Sequence, residues 1–375
     1  MEVISNYERL EWLLDVVLLP RWRSTPKGYP FNHPNAVIPQ TLIPDELRRD
    51  KNVLSNWYLY VDEHMKGRVE SMEAFRGHLR IFKKYPWFYH PRELIYRKHS
   101  EIIEVLEDCI PTDKVNVARD LKINALQLHT YYDGLASNIL KGVTNYDEAT
   151  RRLLNKRTKS ERLAAGFAGE GFYGHQEKMV SMFVYWWDWE DLLNPRFPYP
   201  SPSDIQNIRC GIGAQVLVTK GYLGTSNRNR GVLAAAWRKL VMRYVVEHKA
   251  DPREVSDVFW LFGNRMCGNS PLTQTPKDEG VNGSGMFDME DLPHVDGVRK
   301  FLHPRYRGAL ERTCLICPLL KTCNHVIPAR LYYSKGKIEL RPRPKVEDHL
   351  DLSHLREPEY WAEEPNLAFP FDSPE

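Results

Sequence analysis

"DPREVSDVFWLFGNRMC", residues 251 to 267, is the stretch on which the reading of the chain turns. Asp251 stands as an N-cap, Pro252 occupies the first helical position, and Glu254 follows three residues after the cap, so the segment opens as a helix. It runs through an apolar stretch and closes on a cysteine, after which a long polar segment begins. Cys267 is either a small buried hydrophobe or a companion of the cysteines in "CLICPLLKTC", residues 314 to 323.

Upstream, the same helical character recurs in "VARDLKINALQLHTYYDGLASNIL", "NYDEATRRLL", "TKSERLAAGFAG", "GFYGHQEKMVSMFVYWWDWEDLL", "PSDIQNIRCGIGAQVLV" and "VLAAAWRKLVMRYVVEHK". Earlier still, "YERLEWLLDVVLL" and "SEIIEVLEDCI" are helical in spacing and flank the Pro-rich loop "PKGYPFNHPNAVIPQ". Strand signal is scarce until "ARLYYSKGKIELRPRP", which predicts one hairpin. Residues 268 to 300, rich in Gly, Asn, Asp, Ser and Pro, predict an inserted loop, and the acidic last thirty predict a segment lying over the surface or partly mobile. The expected division is an N-terminal helical region (1–115), a helical domain (116–266), a cysteine region with its insertion (267–330), and a hairpin with an acidic tail (331–375). No internal repeat is visible.

The 375 residues, 42% of them hydrophobic, can build one large or two ordinary domains. No uninterrupted apolar run approaches the roughly 18 residues of a membrane span, and the opening residues lack a secretion signal's basic and small-residue features. The expectation is a cytosolic chain without a membrane partner. In that reducing setting, Cys109, Cys210, Cys267, Cys314, Cys317 and Cys323 are free thiols or metal ligands rather than a disulfide framework. The net charge of +3 hides a split: from Val346 onward nine acids meet one base, so the tail carries −8 and the preceding 345 residues +11. A basic body suits a polyanion such as nucleic acid, and it equally suits plain solubility. Residues 75 to 99 hold seven Lys or Arg, one acid and seven aromatics. That mixture serves a nucleic-acid groove, or an amphipathic helix followed by an aromatic corner.

Cys314-x2-Cys317-x5-Cys323 places three thiolates within ten residues, a metal-binding density. Thiolates select zinc or an iron–sulfur cluster. Structural zinc usually takes two short knuckles, whereas a cubane cluster accepts one winding loop plus a distant cysteine. A [4Fe-4S] cluster is therefore the expectation, with zinc held by three cysteines and His325 as the alternative. Cys109, Cys210 and Cys267 compete to be the fourth ligand. The first two sit in apolar helical patterns and read as core, while Cys267 ends a helix and faces the loop that returns to Cys314.

"FWLFGNRMC…CLICPLLKTC" resembles the end of the endonuclease III group of helix–hairpin–helix DNA glycosylases, with 46 residues inserted between the first and second cysteines. The resemblance covers residues 116 to 325 and implies a mainly α, two-lobed helical fold with a C-terminal [4Fe-4S] loop ligated by Cys267, Cys314, Cys317 and Cys323. It further implies a hairpin in "FYGHQEKMVSMF", with Gly174 in the first glycine position and Lys178 in that of the catalytic lysine. "PSPSDIQNIR" resembles the segment carrying the catalytic aspartate, with Asp204 in that place and Arg209 following. Gln176 stands where the family has a second glycine, one that lets backbone N–H groups approach a DNA phosphate. The stretch between Lys178 and Asp204 is long and carries Trp186, Trp187 and Trp189, which read as core or as a remodelled pocket wall.

"GFAGEGFYG", "KMVSM", "PSPSD" and the widely split cysteines ending in "CPL" resemble a divergent branch, the alpha-glutamyl/putrescinyl thymine pyrophosphorylases or amino acid:DNA transferases of phage thymine hypermodification. That likeness implies a transferase acting on double-stranded DNA with a flipped base. An amino acid or polyamine co-substrate would displace pyrophosphate from 5-(pyrophosphoryloxymethyl)uracil, in a monomer working in the host cytoplasm. Asp204 would serve as base and Lys178 as nucleophile or electrostatic group, with Gly174, His175, Gln176 and Arg209 on DNA or pyrophosphate. Two other classes stay open: a base-excision glycosylase or lyase, and a non-catalytic iron–sulfur DNA-binding protein.

Overall fold

The computed structural model describes residues 2–33, 36–65, 71–110, 114–154, 171–220, 227–267, 317–319, 329–334 and 337–342. The chain begins with strand β1 (Glu2–Ser5), helix α1 (Tyr7–Trp12), a π-helical stretch (Leu13–Leu18) and α2 (Leu19–Arg23). It continues through α3 (Asp45–Arg49), α4 (Lys51–Met65), α5 (Ser71–Lys84), α6 (Pro91–Tyr96), α7 (His99–Cys109), α8 (Lys114–Tyr131) and α9 (Tyr146–Leu153). After these come α10 (Glu177–Trp189), α11 (Ile205–Gly213), β2 (Leu217–Lys220), α12 (Asn227–Glu247) and α13 (Pro252–Phe262), the last prolonged by a π-helical turn (Gly263–Cys267). Strands β3 (Ala329–Ser334) and β4 (Lys337–Pro342) form the expected antiparallel hairpin. The described chain is mainly helical, and none of its helices is long and apolar enough to cross a membrane. The insertion expected from 268 onward and the acidic tail lie outside the described residues.

The chain divides into two compact units, one formed by residues 38–202 and the other by 1–37 together with 203–375. In the 38–202 unit, α4 is buried on every side from Leu54 to Met65, and α10 is likewise buried from Met179 to Asp188. Helices apolar all round belong at the centre of a core, and these two pack on each other. Trp57 meets Phe75 edge-on at 5.1 Å, Tyr58 lies tilted on Trp186 at 5.5 Å, and Phe183 tilts on Trp187 at 4.8 Å. Trp186 and Trp187 are therefore core residues, and Trp189 packs partly buried against the same core. Polar groups inside such a helix must be matched. The Asn56 amide does this by donating to the carbonyls of Tyr89 and Gly134, each at 3.0 Å, and accepting from the Ala136 N–H at 2.7 Å. Glu190, just past α10, accepts from Arg48 and from the Tyr58 hydroxyl, which fixes the helix end to α3 and α4.

In the other unit, β1 pairs antiparallel with β2, Glu2 opposite Lys220 and Ser5 opposite Leu217. This departs from the helical expectation for "QVLV". Gln215 takes a left-handed φ of 63° and stops α11, and the β-branched residues beyond it find partners more than two hundred positions upstream. Asp251 caps α13 by accepting from the Arg253 N–H at 2.9 Å, as its sequence predicts. Trp237 of α12 stacks edge-on against Phe259 of α13 at 4.7 Å and leaves no room beside Gly211 of α11. The Tyr244 hydroxyl donates to Asp15, and Arg23 pairs with Glu254 at 2.6 Å.

Candidate functional site

The turn that precedes α10 is built from residues 171 to 176. Gly171 and Gly174 adopt φ of 87° and 90°, a region that glycine enters without steric cost. Gln176, at φ −105°, is ordinary extended backbone, so the residue in the second glycine position has no conformational need of glycine. The turn is clamped from behind. Asn124 of α8 accepts from the Tyr173 N–H at 2.7 Å and donates to the Tyr173 carbonyl at 2.9 Å, while Gln127 donates to the Gly171 carbonyl at 2.9 Å. Phe172 is fully buried and its N–H reaches the Leu153 carbonyl. The turn is thus held rigidly by α8, with Gln176 and Glu177 exposed and Lys178 half-buried on the first turn of α10.

His175 points inward rather than toward solvent, with 1% of its surface exposed. Its Nε2 lies 2.8 Å from Asp62 Oδ2, and its Nδ1 lies 3.9 Å from Glu63 Oε2. Glu63 in turn accepts from Asn124 at 2.9 Å. Burial pushes the Asp62 carboxyl above the ordinary carboxylate range, and the charges of His175 and Lys178 oppose that shift. The sequence reading missed Asp62, Glu63 and Asn124. A signal was present, since "DEH" interrupts the buried run of α4 with three consecutive titratable residues that such a helix excludes unless they are paired.

Asp204 belongs to the other unit, as the N-cap of α11, 9% exposed, and its Oδ1 accepts from the Asn207 N–H at 2.8 Å. The carboxylate orientation is therefore fixed by the helix it caps, and the helix N-terminus favours negative charge there. Ser203, beside it, accepts from Arg238 of α12 at 2.9 Å. The Arg209 side chain lies outside the described residues.

Among the metal candidates, Cys317 is described and buried, and its Sγ accepts from the Leu319 N–H at 3.4 Å. Arg21, a buried guanidinium that donates to the Val17 carbonyl at 2.8 Å, interacts electrostatically with this thiol. An amide donor on sulfur and a nearby cation both favour a thiolate, so Cys317 fits a cluster or zinc ligand. Cys314, Cys323, His325 and the Cys267 side chain lie outside the described residues, among which no group of three metal-binding side chains occurs. Cys109 and Cys210 are buried thiols, as the sequence predicts for core positions.

Of the seven aromatics between residues 75 and 99, Phe75, Phe88 and Tyr89 are fully buried. Several of its cations are spent inside the protein. Lys84 and Tyr85 bind Asp108, Arg97 lies over Trp87 at 4.5 Å and 3.6 Å from Glu101, and Arg80 donates to the Cys109 carbonyl. Arg76, Lys83, Arg92, Tyr96 and Lys98 face outward. The amphipathic-helix and aromatic-corner reading accounts for most of the stretch.

No family model matches the chain, and no curated protein matches it. Among solved structures it is similar to a trapped endonuclease III–DNA covalent intermediate in an estranged-adenine complex, at 12% identity and a TM-score of 0.42, over 86% of this chain and 97% of that one.

Proposed function

We propose that the chain is a DNA-modifying transferase that replaces the pyrophosphate of 5-(pyrophosphoryloxymethyl)uracil in DNA with an amino acid or polyamine. The observation that carries this reading is the braced turn. Asn124 and Gln127 lock Gly171 to Tyr173 in place, and α10 starts at once with Gln176 outward and Lys178 on its first turn. A rigid turn with Gly174 partly exposed and Gln176 exposed beside a lysine suits an anionic DNA substrate. The strings "GFAGEGFYG", "KMVSM" and "PSPSD" and the split cysteines ending in "CPL" supply the resemblance to the transferase branch.

In the proposed reaction a base leaves the stack and a neutral amine attacks its exocyclic methylene carbon. A C–N bond forms as the C–O bond to pyrophosphate breaks. Asp204 takes the proton released by the amine, and Lys178 with Arg209 offsets the charge on the departing pyrophosphate. Gly174 and Gln176 contact DNA phosphate, while the buried His175 supports the turn from beneath. Cys267, Cys314, Cys317 and Cys323 would hold a [4Fe-4S] cluster, whose contribution is to order the chain around it. The reaction belongs to a monomer in the cytoplasm.

Mass spectrometry of nucleosides from DNA of cells with and without the protein tests the proposal. An adduct on thymine-derived nucleosides, without free base, is expected. Asp204→Asn should lower adduct formation at least roughly 100-fold, the usual scale of a lost general base, while leaving the fold intact because asparagine also caps helices. Release of free base or strand cleavage would overturn the transferase in favour of excision, and unchanged DNA chemistry would leave a binding protein.

A further inference from the structure

We propose that Arg119 of α8 is a cation with which the braced turn grips a DNA phosphate, and that the buried carboxylate of Asp120 is its positioning residue. This rests on the turn being the DNA-facing element of the proposed site, and adds a residue to it. Asp120, Asn124 and Gln127 follow one another at helical spacing on α8, and all three are buried. A helix face that buries three polar side chains has to find partners for each of them. Asn124 and Gln127 take the backbone of Tyr173 and Gly171. Asp120 takes a cation: its Oδ1 accepts from Nε of Arg119 at 2.9 Å and from Nη2 at 2.8 Å.

The two charges differ in exposure, 38% for the Arg119 side chain against 2% for that of Asp120. The guanidinium lies over the ring of Tyr173, its carbon 5.6 Å from the centroid, so the cation rests on the same residue whose backbone Asn124 clamps. Tyr173 and Gly174 are partly exposed and Gln176 is exposed, which puts Arg119 at the accessible rim of the turn. Carboxylate and ring restrict its rotamers before any ligand arrives, so little side-chain entropy is left to lose on binding. A planar guanidinium suits the oxygens of a phosphate, and a backbone phosphate is the partner that a rigid turn without a base-reading side chain can hold in any sequence.

Binding of the full chain to fluorescein-labelled DNA duplexes, followed by anisotropy across a potassium chloride series, tests this. Arg119→Gln should weaken binding by a similar factor for duplexes of unrelated sequence, and should reduce the steepness of log K against log salt by about 0.9, the loss of one phosphate contact. Arg119→Lys, which keeps the charge, should keep the slope of the unmodified protein. Because Arg119→Gln leaves Asp120 buried without its counter-charge, Arg119→Gln together with Asp120→Asn is measured alongside and should show the same loss of slope. An unchanged slope when both charges are removed would overturn the proposal and leave Arg119 as the counter-charge of Asp120, with DNA binding intact. Unmodified protein that binds no duplex would overturn this proposal and the DNA reading together. A lost slope in cells whose DNA carries no adduct would leave Arg119 standing and remove the transferase alone.

Discussion

Asn124 ties three things together with one side chain: the Tyr173 N–H, the Tyr173 carbonyl and the Glu63 carboxylate. Replacing it by alanine leaves a buried N–H, a carbonyl and a carboxylate without these partners, each worth on the order of 1–3 kcal/mol when unsatisfied. Asn124→Ala is expected to cost about 3 kcal/mol of stability, read from the denaturant midpoint, and to loosen the turn it holds. Nothing in the local sequence announces this role, because "KINALQL" is an ordinary amphipathic stretch and the partner of Asn124 lies 49 residues downstream. Lys178 and Asp204 were singled out from their order and neighbours, and they stand on the first turn of α10 and at the N-cap of α11. Asp62, 2.8 Å from His175, was not singled out, since its partner belongs to a turn more than a hundred residues away in the chain. His175 shows the converse, a residue whose type and place suggest ligand contact and whose side chain serves the interior.

At the scale of elements, sequence periodicity and caps located most helices, and α13 begins at its predicted cap. The pairing of β1 with β2 escaped because two four-residue strands carry little periodicity and each is completed only by the other. Helix α11 illustrates how closely such elements are fitted. A Cβ built on Gly211 would stand 2.7 Å from Cζ3 of Trp237, a ring fully buried against Phe259. Gly211→Ala should therefore cost about 1–3 kcal/mol by overpacking, despite alanine's better helix propensity, and calorimetry should show a lowered Tm. A raised Tm would mean that the Trp237 ring yields freely.

For the molecule as a whole, the cysteine spacing predicts a metal centre, and Cys317, the described member of that spacing, has a backbone donor on its sulfur and Arg21 in electrostatic contact. Protein purified without oxygen is expected to carry about four irons per chain and broad visible absorbance, and Cys267→Ser should lose both. A single zinc in colourless protein would replace the cluster by the Cys3His alternative. The division into units was less readable, because one of them is discontinuous: residues 1–37 belong with 203–375. That discontinuity has a consequence during synthesis. At roughly 5–20 residues per second, the ribosome needs on the order of 10–40 seconds after making β1 before β2 exists. Residues 38–202 are all available before then, so the nascent protein carries an unpaired strand edge through the making of its whole second unit, the interval in which a chaperone has most to protect.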